Sequence, residues 1–384
     1  MQNTSWTVTF PTRVFAGKNS IQRLKDLEIK PHMRIALLTD QDLYVHKTVE
    51  PVLEVLSAIG TDVHLLFCPG GEPDSQQVIS MLESIRFANP QWVIAVGGGS
   101  VMDMAKLQAV LMTNPGLALN LRDTSRISAP GLPTVMIPTT VGTGSEATMN
   151  SVILFREEEM KCGILHENLL PHCVILDPVF TVMLPPSIVA STGMDALCHA
   201  MESYISRKAT PMSRLWSLDA SKRIAASIEK ACQGDEEALM EMQLAAFEAG
   251  LCLNSSCTVA VHALSYPVGG KYHVPHGIAN AILLPYVMQE NAPWCRKELA
   301  ELADAMMPGN PWRTDEESAN GLIEMLFEMC ERLQIPANYT SFGMTRDDIP
   351  YLAENALKVR RLLDYNPRPL ALEDIVRIFE KTLI

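Results

Sequence analysis

Short apolar runs recur through the first half of the chain, at Arg34-Ile-Ala-Leu-Leu-Thr-Asp40, Asp62-Val-His-Leu-Leu-Phe-Cys68, Trp92-Val-Ile-Ala-Val96, Thr134-Val-Met-Ile137 and Cys173-Val-Ile-Leu-Asp177. Each has the length and continuous apolar character of a strand buried on both faces. Between them, 48–59 and 75–86 carry helical spacing, so strands alternate with helices in the order that builds a parallel sheet. After Pro185-Pro186 the pattern changes. Helix-forming stretches dominate at 211–232, 236–254, 317–333 and 371–382, and strand-like runs are scarce. The pattern predicts an α/β domain over 1–184 and an all-helical domain over 185–384, with no internal repeat.

A chain of 384 residues that is 47% hydrophobic and 20% charged is long enough for more than one buried core, and its composition excludes disordered, collagen-like and coiled-coil classes. Its net charge of -13 repels both a phosphate backbone and an anionic membrane surface, so neither nucleic acid nor membrane is an expected partner. The first ten residues lack the basic and apolar regions of a secretory signal, which makes the cytoplasm the expected compartment. No run reaches the roughly 18 apolar residues of a membrane span; the nearest, 278–288, is far shorter. Nine cysteines without a Cys-x-x-Cys pair argue against a disulfide framework and a thiolate zinc site.

Two turns carry candidate chemistry in the first half. Gly97-Gly98-Gly99-Ser100 follows the strand ending at Val96 and precedes the helix-forming run that holds Asp103. Glycines there let a backbone approach a ligand, and a helix N-terminus offers free N–H groups to a phosphate. The run is neither Gly-x-Gly-x-x-Gly, since Met102 stands at the third glycine's place, nor a P-loop. A second turn, Pro138-Thr139-Thr140-Val-Gly-Thr143-Gly-Ser-Glu-Ala-Thr148, concentrates hydroxyls and open amides suited to phosphate and ribose oxygens, or caps an ordinary helix. Asp40, at the end of the first clear strand, either accepts from a ribose 2′-hydroxyl, favouring NAD over NADP, or serves as a helix N-cap.

The second half carries Gly193-Met-Asp195-Ala-Leu-Cys-His199-Ala-Met-Glu202. Asp195 and His199 stand four apart, on one face of a helix. Further on, 261–277 supplies His262, His273 and His276. One metal shared by an Asp and several His would satisfy most of these apolar-segment imidazoles at once, and a set without thiolate suits iron(II) or zinc. His32, His46, His64, His166 and His172 have no ligand spacing and read as surface or structural residues.

Together these segments, with Asn366-Pro-Arg368 near the end, resemble the iron-containing alcohol dehydrogenase family across nearly the whole chain. The resemblance implies an N-terminal dinucleotide-binding α/β domain and a C-terminal helical metal-binding domain in a dehydroquinate synthase-like architecture, with the active site in the cleft between them. It implies an NAD(H)-linked, iron-dependent (or zinc-dependent) enzyme, expected as a homodimer, that interconverts a short primary alcohol and its aldehyde, a diol and an anionic-headed alcohol such as isethionate being included. It further implies metal ligands Asp195, His199, His262 and His276, and cofactor contacts from Asp40, Gly97, Gly98, Gly99, Ser100, Asp103, Thr139, Thr140, Thr143, Thr148, Lys161 and Phe180, with Asn150 near the nicotinamide.

One position departs from the family pattern. Many members carry a histidine four residues after the third ligand, where this chain has Tyr266. A phenol with a reference pKa near 10 does not imitate an imidazole that titrates near neutrality, so any proton relay passes to another group, for which His273 is the candidate. Arg360, Arg361 and Arg368 offer guanidinium groups for an anionic head, although solvated charge or capping is the expected role of each. The alternative function is a metal- and NAD-dependent lyase of the dehydroquinate synthase type.

Overall fold

The computed structural model describes residues 5–71, 73–158 and 160–383. It comprises two compact units, Thr9–Leu184 and Pro185–Ile384, and the described residues up to Val8 group with the second.

In the first unit the elements run β1 (Arg13–Ala16), β2 (Arg34–Thr39), α1 (Gln41–Val45), α2 (Glu50–Ile59), β3 (Asp62–Phe67), α3 (Ser75–Ala88), β4 (Trp92–Gly97), α4 (Gly99–Thr113), β5 (Thr134–Pro138), β6 (Asn150–Phe155), β7 (Met160–Leu165) and β8 (Cys173–Leu176). Six strands form a parallel sheet in the order β1-β8-β5-β4-β2-β3, with Ile35 of β2 opposite Val63 on one side and Trp92 on the other. Alternation along each strand divides the apolar side chains between the two faces: Ala36, Leu38, Val93 and Ala95 pack toward α3 and α4, and Ile35, Leu37, Ile94 and Val96 toward α2. All five strands read from the apolar runs are present in this sheet. β1, four residues with an exposed arginine at its start, and the antiparallel β6–β7 hairpin carry no comparable run.

The second unit is helical: α5 (Pro186–Ile205), α6 (Pro211–Cys232), α7 (Glu236–Leu253), α8 (Ala260–Tyr272), α9 (His276–Asn291), α10 (Arg296–Met306), α11 (Asp315–Arg332), α12 (Ile349–Leu357), α13 (Arg360–Leu363) and α14 (Leu372–Lys381). α6 starts on a reciprocal capping pair, Thr210 with Ser213, followed by Pro211 where its missing N–H has no intrahelical role. α5 is buried along nearly its whole length and packs against α6, α7 and α9. Among the described residues no helix is long and apolar enough to cross a membrane, and all nine cysteines are free thiols.

A buried charge organises the first unit. Lys106 is 1% exposed; its ammonium pairs with Asp103 at 2.9 Å and donates to the Ser145 carbonyl at 3.0 Å, the Thr148 hydroxyl at 3.2 Å and the Asn150 carbonyl. Asp103 also accepts from the Ser145 hydroxyl and, at 2.8 Å, from the Val152 N–H. The pair ties α4 to the 139–150 segment and to β6. Removing one partner of a buried pair leaves the other charge uncompensated. Lys106→Met is therefore expected to lower the unfolding free energy by about 3–5 kcal/mol, read from urea denaturation; an unchanged midpoint would contradict the assignment.

Glu146, also 1% exposed, sits beside this pair with one carboxylate oxygen lacking a hydrogen-bond partner. Burial pushes its carboxyl up to about 7, against the opposing pull of its own backbone N–H and Lys106. Because the folded-state value lies above the ordinary carboxylate value, the fold favours the protonated form. That contribution is fully present below about 4.5 and is lost as pH rises through about 7. Glu146→Gln, neutral at every pH, is expected to raise the Tm more at pH 8.5 than at pH 5.5, and equal shifts would show that Glu146 does not titrate with folding.

Candidate functional site

Asp195, His199 and Glu202 stand at i, i+4 and i+7 of α5, so they share one face, and all three are buried. His262 lies in the first turn of α8, and His276 opens α9. Gly277 lets α9 close onto α5: a Cβ there would lie 2.1 Å from the Ser191 carbonyl oxygen. The result is a tight convergence. His262 Nε2 and His276 Nε2 are each 3.8 Å from Asp195 Oδ1, and one ligand atom from each of the three residues lies within 4.8 Å of the others. His199 is not part of that group; its ring stacks on His262 with centroids 4.8 Å apart.

Asn280 closes the cluster. Its amide nitrogen donates to Asp195 Oδ1 at 2.7 Å and lies 3.2 Å from Nε2 of both His262 and His276, while its own oxygen is buried without a hydrogen-bond partner. An amide has two hydrogens, so it cannot satisfy three acceptors. A divalent cation can, and the convergent nitrogen and oxygen atoms fit one of the iron(II) or zinc type.

Glu202 fixes the orientation of His262. Its carboxylate lies 2.6 Å from Nδ1 and accepts from the Val261 N–H at 2.6 Å, which leaves Nε2 turned toward Asp195. Burial pushes Glu202 up to about 8 and His262 down to about 4, so both resist charging. Burial also drives the Asp195 carboxyl upward, but His199, His276, His262 and the Asn280 hydrogen bond together outweigh it and leave Asp195 below its ordinary value. Tyr266, one turn beyond His262, sits with its ring centroid 6.5 Å from His262 and 6.1 Å from His276. Burial holds its phenol above the ordinary value, with Arg361 opposing, so it keeps its proton at neutral pH. His273 ends α8 in the left-handed region, at φ 53°, with its side chain exposed.

In the first unit the glycine turn links β4 to α4. Gly98 is the N-cap of α4 and has no side chain to cap it, so no side chain takes the N–H groups of Gly99 and Ser100, while those of Val101 and Met102 donate to the Gly98 carbonyl at 3.1 Å each. A Cβ on Gly99 would come within 2.9 Å of the Thr143 side chain, so the glycine turn and the threonine turn pack together only because the side chain is absent. Thr139 is held by its N–H on the Gly97 carbonyl at 3.1 Å, and Thr140 has a buried hydroxyl without a partner. Ser100 lies half-buried in the first turn of α4. Asp40 caps α1 by accepting from Leu43 N–H at 2.8 Å through one carboxylate oxygen, and the other oxygen remains open.

Asp103 and Thr148 have their polar atoms engaged with Lys106, and Asn150 lends Lys106 its carbonyl. Lys161 lies on β7 opposite Leu154, and Phe180 is a buried member of the α2-facing core. His166 accepts from the Asn168 N–H at 3.1 Å, and His172 meets the Trp92 ring edge-on at 5.4 Å. Three residues of these clusters were not singled out by motif: Lys106, Glu202 and Asn280. The signals for two of them were present, since Glu202 shares the helix face of Asp195 and Lys106 lies one turn beyond Asp103.

Comparison with known proteins agrees with both halves. Residues 11–178 match the iron-containing alcohol dehydrogenase family, and 189–383 match the C-terminal region of the Fe-containing alcohol dehydrogenase family. The chain is 34% identical over 379 residues to long-chain-alcohol dehydrogenase 1 of Geobacillus thermodenitrificans, covering 97% of this chain and 95% of the relative. It is 31% identical over 366 residues to lactaldehyde reductase of Escherichia coli, covering 94% and 96%. The crystal structure of a 1,3-propanediol oxidoreductase superposes with a TM-score of 0.93 at 30% identity, over 98% of this chain and all of that one. With the parallel sheet, the helical unit and the Asp-His-His convergence in place, the chain belongs to the iron-containing alcohol dehydrogenase family and is an NAD(P)-dependent oxidoreductase acting on an alcohol or aldehyde.

Proposed function

We propose that this enzyme interconverts a short primary alcohol, which includes diols and anionic-headed alcohols, with its aldehyde, using NAD(H) and one iron(II) or zinc ion. Asp195, His199, His262 and His276 would hold the ion, and the turns at 97–100 and 139–148 with Asp40 would hold the dinucleotide. The observation that carries this proposal is the convergence of Asp195, His262 and His276 on a point that the Asn280 amide cannot satisfy. When bound, the ion supplies Lewis acidity at the substrate oxygen and the nicotinamide gives or takes hydride.

The chain's own residues do the rest. Glu202 holds His262 by Nδ1 so that Nε2 is the coordinating nitrogen, as carboxylate partners of metal-binding histidines do. Tyr266 keeps its proton, and the exposed His273 is the candidate for a relay to solvent. The open carboxylate oxygen of Asp40 accepts from a ribose hydroxyl and repels a 2′-phosphate, favouring NAD. Nine free thiols suit a reducing cytoplasm, and a homodimer is taken as the working unit.

The test is an anaerobic assay of protein stripped and reloaded with iron(II) or zinc, following NADH absorbance with short aldehydes; metal-dependent oxidation of NADH is the expected result. Glu202→Gln is expected to weaken metal affinity by roughly 10- to 100-fold, measured by chelator competition, and His262→Ala to abolish metal retention. A His262→Ala protein that keeps its metal would sink the ligand assignment. Asp40→Gly is expected to raise NADPH use relative to NADH by about tenfold through loss of charge repulsion; an unchanged ratio would restrict Asp40 to its capping role.

A further inference from the structure

The arginines of the last segment differ in what they do. Arg360 pairs with Asp364 at 2.6 Å, and Arg368 with Glu290 and Asp374 at 2.8 Å each. Arg377 engages the same two acids. Those guanidinium groups are structural. Arg361 is exposed and has no carboxylate partner among the described residues; its Nη2 lies 3.5 Å from the phenol oxygen of Tyr266. α13 sets it there, packed against α8, which carries both Tyr266 and His262.

Position adds to the case. Tyr266 is four residues beyond His262 on α8, so the two share a face, and its ring lies within 6.5 Å of two ligand histidines. A chain of net charge -13, with Asp195 buried beside the ligand histidines, repels an anionic substrate unless a specific cation receives it. A guanidinium with free donors next to a protonated phenol presents the fork that a carboxylate or sulfonate takes.

We propose that Arg361, with Tyr266, is a substrate anchor, and that the preferred substrate of this enzyme is a short aldehyde or alcohol carrying a carboxylate or sulfonate at the end away from the reacting carbon. This deepens the alcohol dehydrogenase reading proposed above and rests on it. Arg361 acts by binding and orienting the head group and takes no part in the hydride step. The phenol at position 266 serves as a second donor to the head group.

The test compares propanal, succinic semialdehyde and sulfoacetaldehyde on metal-loaded enzyme with NADH. The two anionic aldehydes are expected to exceed propanal in kcat/KM. In Arg361→Gln the anionic-to-neutral ratio of kcat/KM is expected to fall roughly 10- to 100-fold, chiefly through KM, with partial recovery in Arg361→Lys. Calorimetric titration of the NAD-loaded protein with isethionate and with 3-hydroxypropionate supplies a readout without turnover: heat of binding in the wild type, lost in Arg361→Gln. The stronger of the two identifies sulfonate or carboxylate as the head group. A wild type that prefers propanal, or an Arg361→Gln protein whose ratio and binding heats are unchanged, overturns the anchor. Absence of turnover with every aldehyde overturns the functional reading instead, and retained Arg361-dependent binding of the anions in that case would still support the anchor.

Discussion

Three acceptors, one carboxylate oxygen and two imidazole nitrogens, meet in the interior of a helical unit, and much of that unit is arranged to hold them together. Burial alone disfavours the charge on Asp195, and the three neighbouring imidazoles with the Asn280 amide reverse that preference. α5 and α9 come close enough only because Gly277 has no side chain, since any Cβ would run into the backbone of α5. Glu202 then removes the rotational freedom of His262 by taking its other nitrogen. The acceptors are thus fixed before a cation arrives, which limits the ordering that binding requires.

The first unit meets the same difficulty, a charge within an apolar interior, by pairing. Lys106 is a buried residue of the helix that begins at the glycine turn, and its contacts reach Asp103, Ser145, Thr148 and Asn150. Two residues with cofactor-binding expectations, Asp103 and Thr148, therefore shape the turns from within. These turns leave the N–H groups at the start of α4 without a side-chain cap, the buried Thr140 hydroxyl without a partner and one Asp40 oxygen outside its capping bond. Rigid turns of this kind hold their donors in place because the buried pair beneath them is costly to break.

Charge on the helical unit is sorted by function. Arg360, Arg368 and Arg377 are paired with carboxylates close by, whereas Arg361 keeps its donors free beside a phenol. Tyr266 in turn changes the local chemistry. An imidazole at that position would gain or lose a proton near neutrality, while the half-buried phenol holds its proton there.

The sequence by itself determined the sheet strands with continuous apolar runs, the change to helices near Pro185, the two glycine- and hydroxyl-rich turns and the Asp-x3-His spacing, because each of these is a local pattern with a local physical cause. It left β1 and the β6–β7 hairpin unread, since four residues beginning with an exposed arginine carry no periodic signal and a two-stranded hairpin depends on what it packs against. Tertiary structure alone decided which groups meet. Asp195 and Asn280 are 85 residues apart, and Lys106 and Ser145 are 39 apart, separations at which no spacing rule applies. It also distinguished Arg361 from Arg360, two adjacent and identical residues, because a partner's position in space sets what a guanidinium does.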